Sequence, residues 1–108
     1  MFNLNYVLMK LQVQCIHFNA DSKLISFIQR KVDKLETFYD RLVDGEVFLR
    51  LNNEGIENKT VEIKLNVPGT QLFAIEKAKS FEAAADLATE ALRNQLKKFK
   101  TRVKQGRA

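Results

Sequence analysis

A chain of 108 residues with 45% apolar side chains, eight Phe, four Gly and one Pro has the size and composition of one compact domain, which excludes a disordered, collagen-like or low-complexity chain. A single cysteine, Cys15, rules out an internal disulfide, so the expected compartment is the cytoplasm. The net charge of +5 is concentrated at one end: positions 1–92 hold eleven cations against thirteen acids, while Arg93, Lys97, Lys98, Lys100, Arg102, Lys104 and Arg107 follow without an acid among them, the signature of an exposed electropositive face for a polyanion.

Taken in chain order, residues 1–8 are apolar but lack a basic leader and a small-residue cleavage site, and Lys10 interrupts them too early for a membrane span. They are expected to be a dispensable extension ahead of Met9. Residues 10–16 alternate, with Leu11, Val13 and Cys15 on one side and Gln12 and Gln14 on the other, which predicts a half-buried strand. Asn19, Asp21 and Ser22 are good helix-capping types, and Leu24, Phe27, Ile28, Val32, Leu35, Tyr39 and Leu42 recur every three or four residues, so an amphipathic helix is expected over roughly 21–41. Val47, Leu49 and Leu51 alternate with Phe48 and Arg50 as a second strand, and Asn52-Asn53-Glu54-Gly55 is turn chemistry. Val61, Ile63, Leu65 and Val67 predict a third strand, Pro68-Gly69 a tight turn, and Leu72 to Ala78 a fourth strand. Ser80 can cap a last helix whose apolar stripe runs Phe81, Ala84, Ala85, Ala88, Leu92, Leu96, Phe99, Val103.

The order β-α-β-β-β-α predicts an α+β fold in two layers. Strands one and two should be parallel, the rest an antiparallel meander, and both helices should cover one face of a four-stranded mixed sheet, because every strand has a polar side. The expected organisation is one domain over 9–104 with a short basic tail, 105–108.

Catalysis finds little support. His17 is the only imidazole, no glycine-rich phosphate loop or metal-spaced cluster is spelled out, and Cys15 falls in phase with Leu11 and Val13 as a structural thiol. No catalytic residue, metal, cofactor, membrane or small-molecule substrate is expected. Asp33, Glu36 and Asp40 read as a solvated helix flank.

The cations are better organised. At about 100° per residue, Lys23, Arg30, Lys34 and Arg41 fall within roughly 40° of one another, about 130° from the apolar centre and opposite the acidic flank. On the last helix Arg93, Lys97, Lys100 and Lys104 fall within about 60°, with Lys98 and Arg102 as a shorter second row. Two such stripes side by side would form a basic groove, for which phosphate is the natural ligand.

Residues 34–42, Lys-Leu-Glu-Thr-Phe-Tyr-Asp-Arg-Leu, resemble the Lys-Leu-Glu-x-aromatic segment of bacterial ribosome hibernation-promoting factors, also called ribosome-associated inhibitor or sigma-54 modulation proteins. Residues 81–86, Phe-Glu-Ala-Ala-Ala-Asp, are similar to that family's helix-two opening, and residues 95–100, Gln-Leu-Lys-Lys-Phe-Lys, to its Gln-Leu-x-Lys-x-Lys. The three stand in register from about residue 9 to 104, as in the family's short form. Where the family has Tyr this chain has Phe81, and the Arg preceding Gln-Leu is replaced by Asn94, with Arg93 one position early. The resemblance implies a protein that binds the small ribosomal subunit in the channel of mRNA and the A- and P-site tRNAs and blocks translation sterically under stress or in stationary phase. Its implied partners are small-subunit rRNA and ribosomal proteins lining the channel. Lys34 and Arg41 match basic positions of helix one, and Lys98, Lys100, Arg102 and Lys104 the basic run of helix two.

Two other classes compete, a generic structured-RNA-binding domain and an interaction domain with no nucleic acid. A KH module would need Gly-x-x-Gly, and an RNA-recognition motif a β-α-β-β-α-β order with surface aromatics; neither pattern is present.

Overall fold

Alternating apolar residues build the sheet and three-four spacings build the helices, in the anticipated order. The computed structural model describes residues 10–52 and 55–104. Its elements are β1 (Lys10–Ile16), α1 (Ser22–Phe38), β2 (Asp44–Leu51), β3 (Lys59–Val67), β4 (Thr70–Ala78) and α2 (Phe81–Lys104). The expected extension over residues 1–8, Met9, the tail 105–108, and Asn53 and Glu54 of the anticipated turn lie outside the described residues.

The strands lie in the order β1-β2-β3-β4, with β1 parallel to β2 and the other two pairs antiparallel. The register puts Val13, Val47 and Ile63 side by side, then Leu11 and Leu65 around Gly45, so one face of the sheet is a continuous apolar floor. Ile28 and Val32 of α1 and Ala84, Ala85, Ala88, Leu92 and Leu96 of α2 are fully buried on that floor. The alanines let α2 come close to β3 and β4. The crossover β1-α1-β2 sets α1 beside it over the other half of the sheet.

Local chemistry sets the element ends. Asp21 takes the extended conformation of a helix cap, and its Oδ1 accepts from the Leu24 N–H at 2.8 Å. Ser80 does the same for α2, accepting from the Ala83 N–H at 3.0 Å. After Pro68, Gly69 has φ +88°, the left-handed value that glycine supplies without cost at the third position of a tight turn.

α1 ends at Phe38, short of the expected position 41. Tyr39 turns to an extended backbone (φ −145°, ψ 108°) so that the chain can enter β2, and Tyr39 and Leu42 still reach the core from outside the helix. The outer face of the sheet is polar at Gln12, Gln14, Glu62 and Lys64, but it also carries Phe48, Phe73 and Ile75, the last two 44% and 47% exposed. The Lys64 ammonium lies 5.4 Å from the Phe48 ring centroid, so the aromatic there is partly covered by a cation.

Candidate nucleic-acid interface

The two helices run side by side in the same direction. Lys31 of α1 pairs with Asp86 near the start of α2 at 2.6 Å, and farther along Lys100 of α2 reaches the carbonyl of Phe38 at the end of α1. Between them lies a groove of about 480 Å³, lined by Lys31, Lys34 and Phe38 from α1 and by Asp86, Glu90 and Arg93 from α2.

Charge in this groove changes along its length. At the α2 start, Asp86 is paired with Lys31, and Glu90 lies 3.6 Å from Arg93, so cations and acids nearly balance. Beyond Glu90 the helix has no further acid, and the surface becomes cationic. Among the described residues, Lys23, Arg30, Lys34, Arg41, Lys97, Lys98, Lys100 and Arg102 form no ion pair with a carboxylate. A cation without an internal partner keeps its charge available for an external anion.

The structure brings some of the expected residues together and separates others. Lys23, Arg30 and Lys34 are exposed and share one flank of α1, and of the three Lys34 reaches the groove. Arg41 is exposed too, but in the connection after α1, so its place is set by the Tyr39 turn and not by helical phase. Arg93 lines the groove and Lys97 stands exposed one turn beyond it. Lys100, by contrast, is half-buried at the α1 end, and Lys104 closes α2 with its side chain outside the described residues.

Lys98 and Arg102 project from another flank of α2, roughly 100° to 180° around the helix from Arg93 and Lys97. That flank faces the free edge of β4, where the Gln95 amide donates to the Phe73 carbonyl at 2.8 Å and accepts from the Phe73 N–H at 3.3 Å. The Arg102 guanidinium lies 5.8 Å from the Phe99 ring, while its side chain stays exposed. The two differences from the resembled motifs have separate consequences. Phe81 is buried and stacks on Phe18 with centroids 4.6 Å apart, so a hydroxyl there would need a partner in the core. Arg93 instead of a cation at Asn94 turns the charge by about 100° into the groove.

Lys31 was absent from the stripe read off the sequence, because it lies about 100° from Arg30 on the wheel; it faces the groove only because α2 packs on that side. On the far flank Asp33 accepts from Gln29 Nε2 at 2.7 Å, and burial, then the Asp33 charge, push the Glu36 carboxyl above the 4.5 of an unperturbed glutamate. Cys15 is half-buried against the core, and His17 is exposed just past β1 with φ +74°. Among the described residues no cluster of His, Cys, Asp or Glu could hold a metal ion, and no helix is long and apolar enough to cross a membrane.

Comparison with known proteins agrees with this architecture. The fold matches a ribosomal subunit interface protein from Coxiella burnetii (TM-score 0.72, 19% identity, covering 82% of this chain and 97% of that one). It also matches the N-terminal domain of Protein Y from Thermus thermophilus (TM-score 0.73, 21% identity, covering 86% and 99%). In sequence, the chain is 38% identical over 80 residues to a ribosome hibernation promotion factor of Deinococcus radiodurans and 32% identical over 78 residues to that of Bacillus subtilis. Each alignment covers 70% of this chain but only 41% and 40% of the relative, so the chain spans about two fifths of those proteins. A ribosome hibernation promoting factor of Pseudomonas putida is 26% identical over 92 residues, which are 85% of this chain and 87% of that protein. With the family model matching residues 11–104, nearly the whole described structure, the chain belongs to the sigma 54 modulation protein / S30EA ribosomal protein family.

Proposed function

We propose that this protein is a ribosome hibernation factor of the cytoplasm, which binds small-subunit rRNA through the adjoining basic flanks of α1 and α2 and inhibits translation by occupying the channel of mRNA and the A- and P-site tRNAs, under stress or in stationary phase. It acts as a binding protein and not as an enzyme, in keeping with its family. The observation that carries the reading is the row of exposed cations along one groove and just beyond it, Lys34 on α1 and Arg93 and Lys97 on α2, of which Arg93 alone has a carboxylate partner, the exposed Glu90. Such a surface suits the phosphates of a folded RNA, whose backbone can be followed by two parallel helices without reading its bases. Lys23, Arg30, Arg41, Lys98, Arg102 and Lys104 extend the contact around this centre. Ribosomal proteins lining the channel are secondary partners.

Occlusion makes a quantitative demand. A bound protein and a bound tRNA or mRNA exclude each other from one volume, so inhibition must be stoichiometric and competitive. In cell-free translation at two ribosome concentrations, half-maximal inhibition should shift with ribosome concentration. A high-salt wash should restore activity, because phosphate contacts are screened and no covalent bond is made. Replacing Cys15 by Ala and His17 by Gln should leave inhibition intact. Progressive inactivation by sub-stoichiometric protein, with no rescue by the wash, would sink the occlusion reading.

A further inference from the structure

Helix α1 ends without the usual closing devices. The last carbonyls of a helix have no partner within it, and its C-terminus carries partial negative charge. Many helices answer with a left-handed glycine or a basic residue in the final turn. α1 has neither: Tyr39 is extended, and no basic residue stands in the last turn. The missing cation arrives from the other helix. Lys100 Nζ donates to the Phe38 carbonyl at 3.1 Å and lies 4.7 Å from the centroid of the Phe38 ring. Beside it the Tyr39 ring meets Phe99 edge-on, centroids 5.6 Å apart and planes at 89°, so the ends of α1 and α2 are joined by one aromatic and one cationic contact.

We propose that Lys100 is a positioning residue rather than a phosphate contact: its ammonium closes α1 and holds the α1 end at a fixed distance from α2, which aligns Lys34 and Arg41 with Arg93 and Lys97. Its half-burial separates it from Lys97 and Lys98, which are exposed on the neighbouring turn. A charge engaged with a carbonyl and a ring face is less available to an external phosphate, whereas the spacing it imposes acts on every cation around it. The inference rests on the RNA-binding reading above and deepens it.

The two roles differ in salt dependence. Each phosphate contact contributes about 0.7 to 0.9 to the log–log slope of affinity against salt, and a positioning residue contributes nothing. Lys100→Met keeps the length of the stem and removes the charge; Lys97→Met is the comparison. Binding to purified small subunits should weaken about tenfold for Lys100→Met with the slope unchanged, and Lys97→Met should lower the slope by nearly one. Once Arg41 and Lys34 are both replaced by Met, adding Lys100→Met should cost much less than tenfold. In the free protein, amide exchange of the last turn of α1 and of Tyr39 should quicken in Lys100→Met while the β3 amides stay protected, which shows a folded variant. A slope reduced by nearly one, or unchanged affinity, overturns the proposal. If the unmodified chain shows no salt-dependent binding, the RNA reading falls and the positioning role falls with it, while the exchange arm still decides whether Lys100 closes α1.

Discussion

Glu36 shows how a single residue's surroundings change its meaning. By helical phase it belongs to a solvated acidic flank, yet it is half-buried next to Asp33, and both desolvation and that like charge favour its protonated form. With the folded-state pKa above the unfolded one, the native chain binds more protons than the unfolded chain between the two values, so stability falls as pH rises from about 4.5 through the raised pKa and stays lower above it. Glu36→Gln should therefore raise the melting temperature slightly at pH 7, with the difference vanishing below about pH 4.5; a melting-temperature series across pH 3.5–8 checks it. Gln95 is a second case. It opens the Gln-Leu-x-Lys-x-Lys segment, but its amide donates to the Phe73 carbonyl and accepts from the Phe73 N–H, and so occupies part of the free edge of β4, a place where an open strand invites unwanted pairing.

At the scale of elements, the two rows of cations on α2 lie on different flanks of the helix, and the packing of α1 makes them unequal. Arg93 lines the groove beside α1 and Lys97 follows one turn on, whereas Lys98 and Arg102 share the flank of Gln95, which bonds to the β4 edge. Replacing Arg93 and Lys97 together by Ala should weaken small-subunit binding by more than tenfold at moderate salt, and the same change at Lys98 and Arg102 should weaken it less. Co-sedimentation with small subunits compares the two. None of these four side chains is fully buried, so both double variants should melt close to the parent. Equal losses from the two pairs would mean that the RNA wraps α2 instead of lying along its junction with α1.

The whole molecule places its positive charge on the helical layer, and the outer face of the sheet holds a mixture of Glu46, Glu62, Lys64 and Arg50, with Arg50 and Glu62 3.7 Å apart. Binding through the helical layer alone, with about five phosphates neutralised, should give affinity for small subunits a log–log slope of magnitude near 4 against potassium concentration. Titrations from about 50 to 300 mM salt measure it, and affinity insensitive to salt would remove the electrostatic basis of the interface.

Much of this was legible in the chain itself because it depends on near neighbours. Alternation at Val61, Ile63 and Leu65, the cap at Asp21 and the Pro68-Gly69 turn each act over a few residues, and they sufficed for the element order and the layer arrangement. What the sequence could not state were relations between elements distant in the chain. Helical phase put Arg41 on the α1 stripe, although α1 stops at Phe38 because the chain must turn toward β2. It treated Lys100 and Lys97 alike, although 62 positions separate Lys100 from the carbonyl it serves. The entry of Lys31 into the groove, the separation of Lys98 and Arg102 from it, and the use of Gln95 on the β4 edge were likewise decided only when α2 settled against α1 and the sheet, since the direction of a side chain follows from its own backbone but the group it meets there follows from packing.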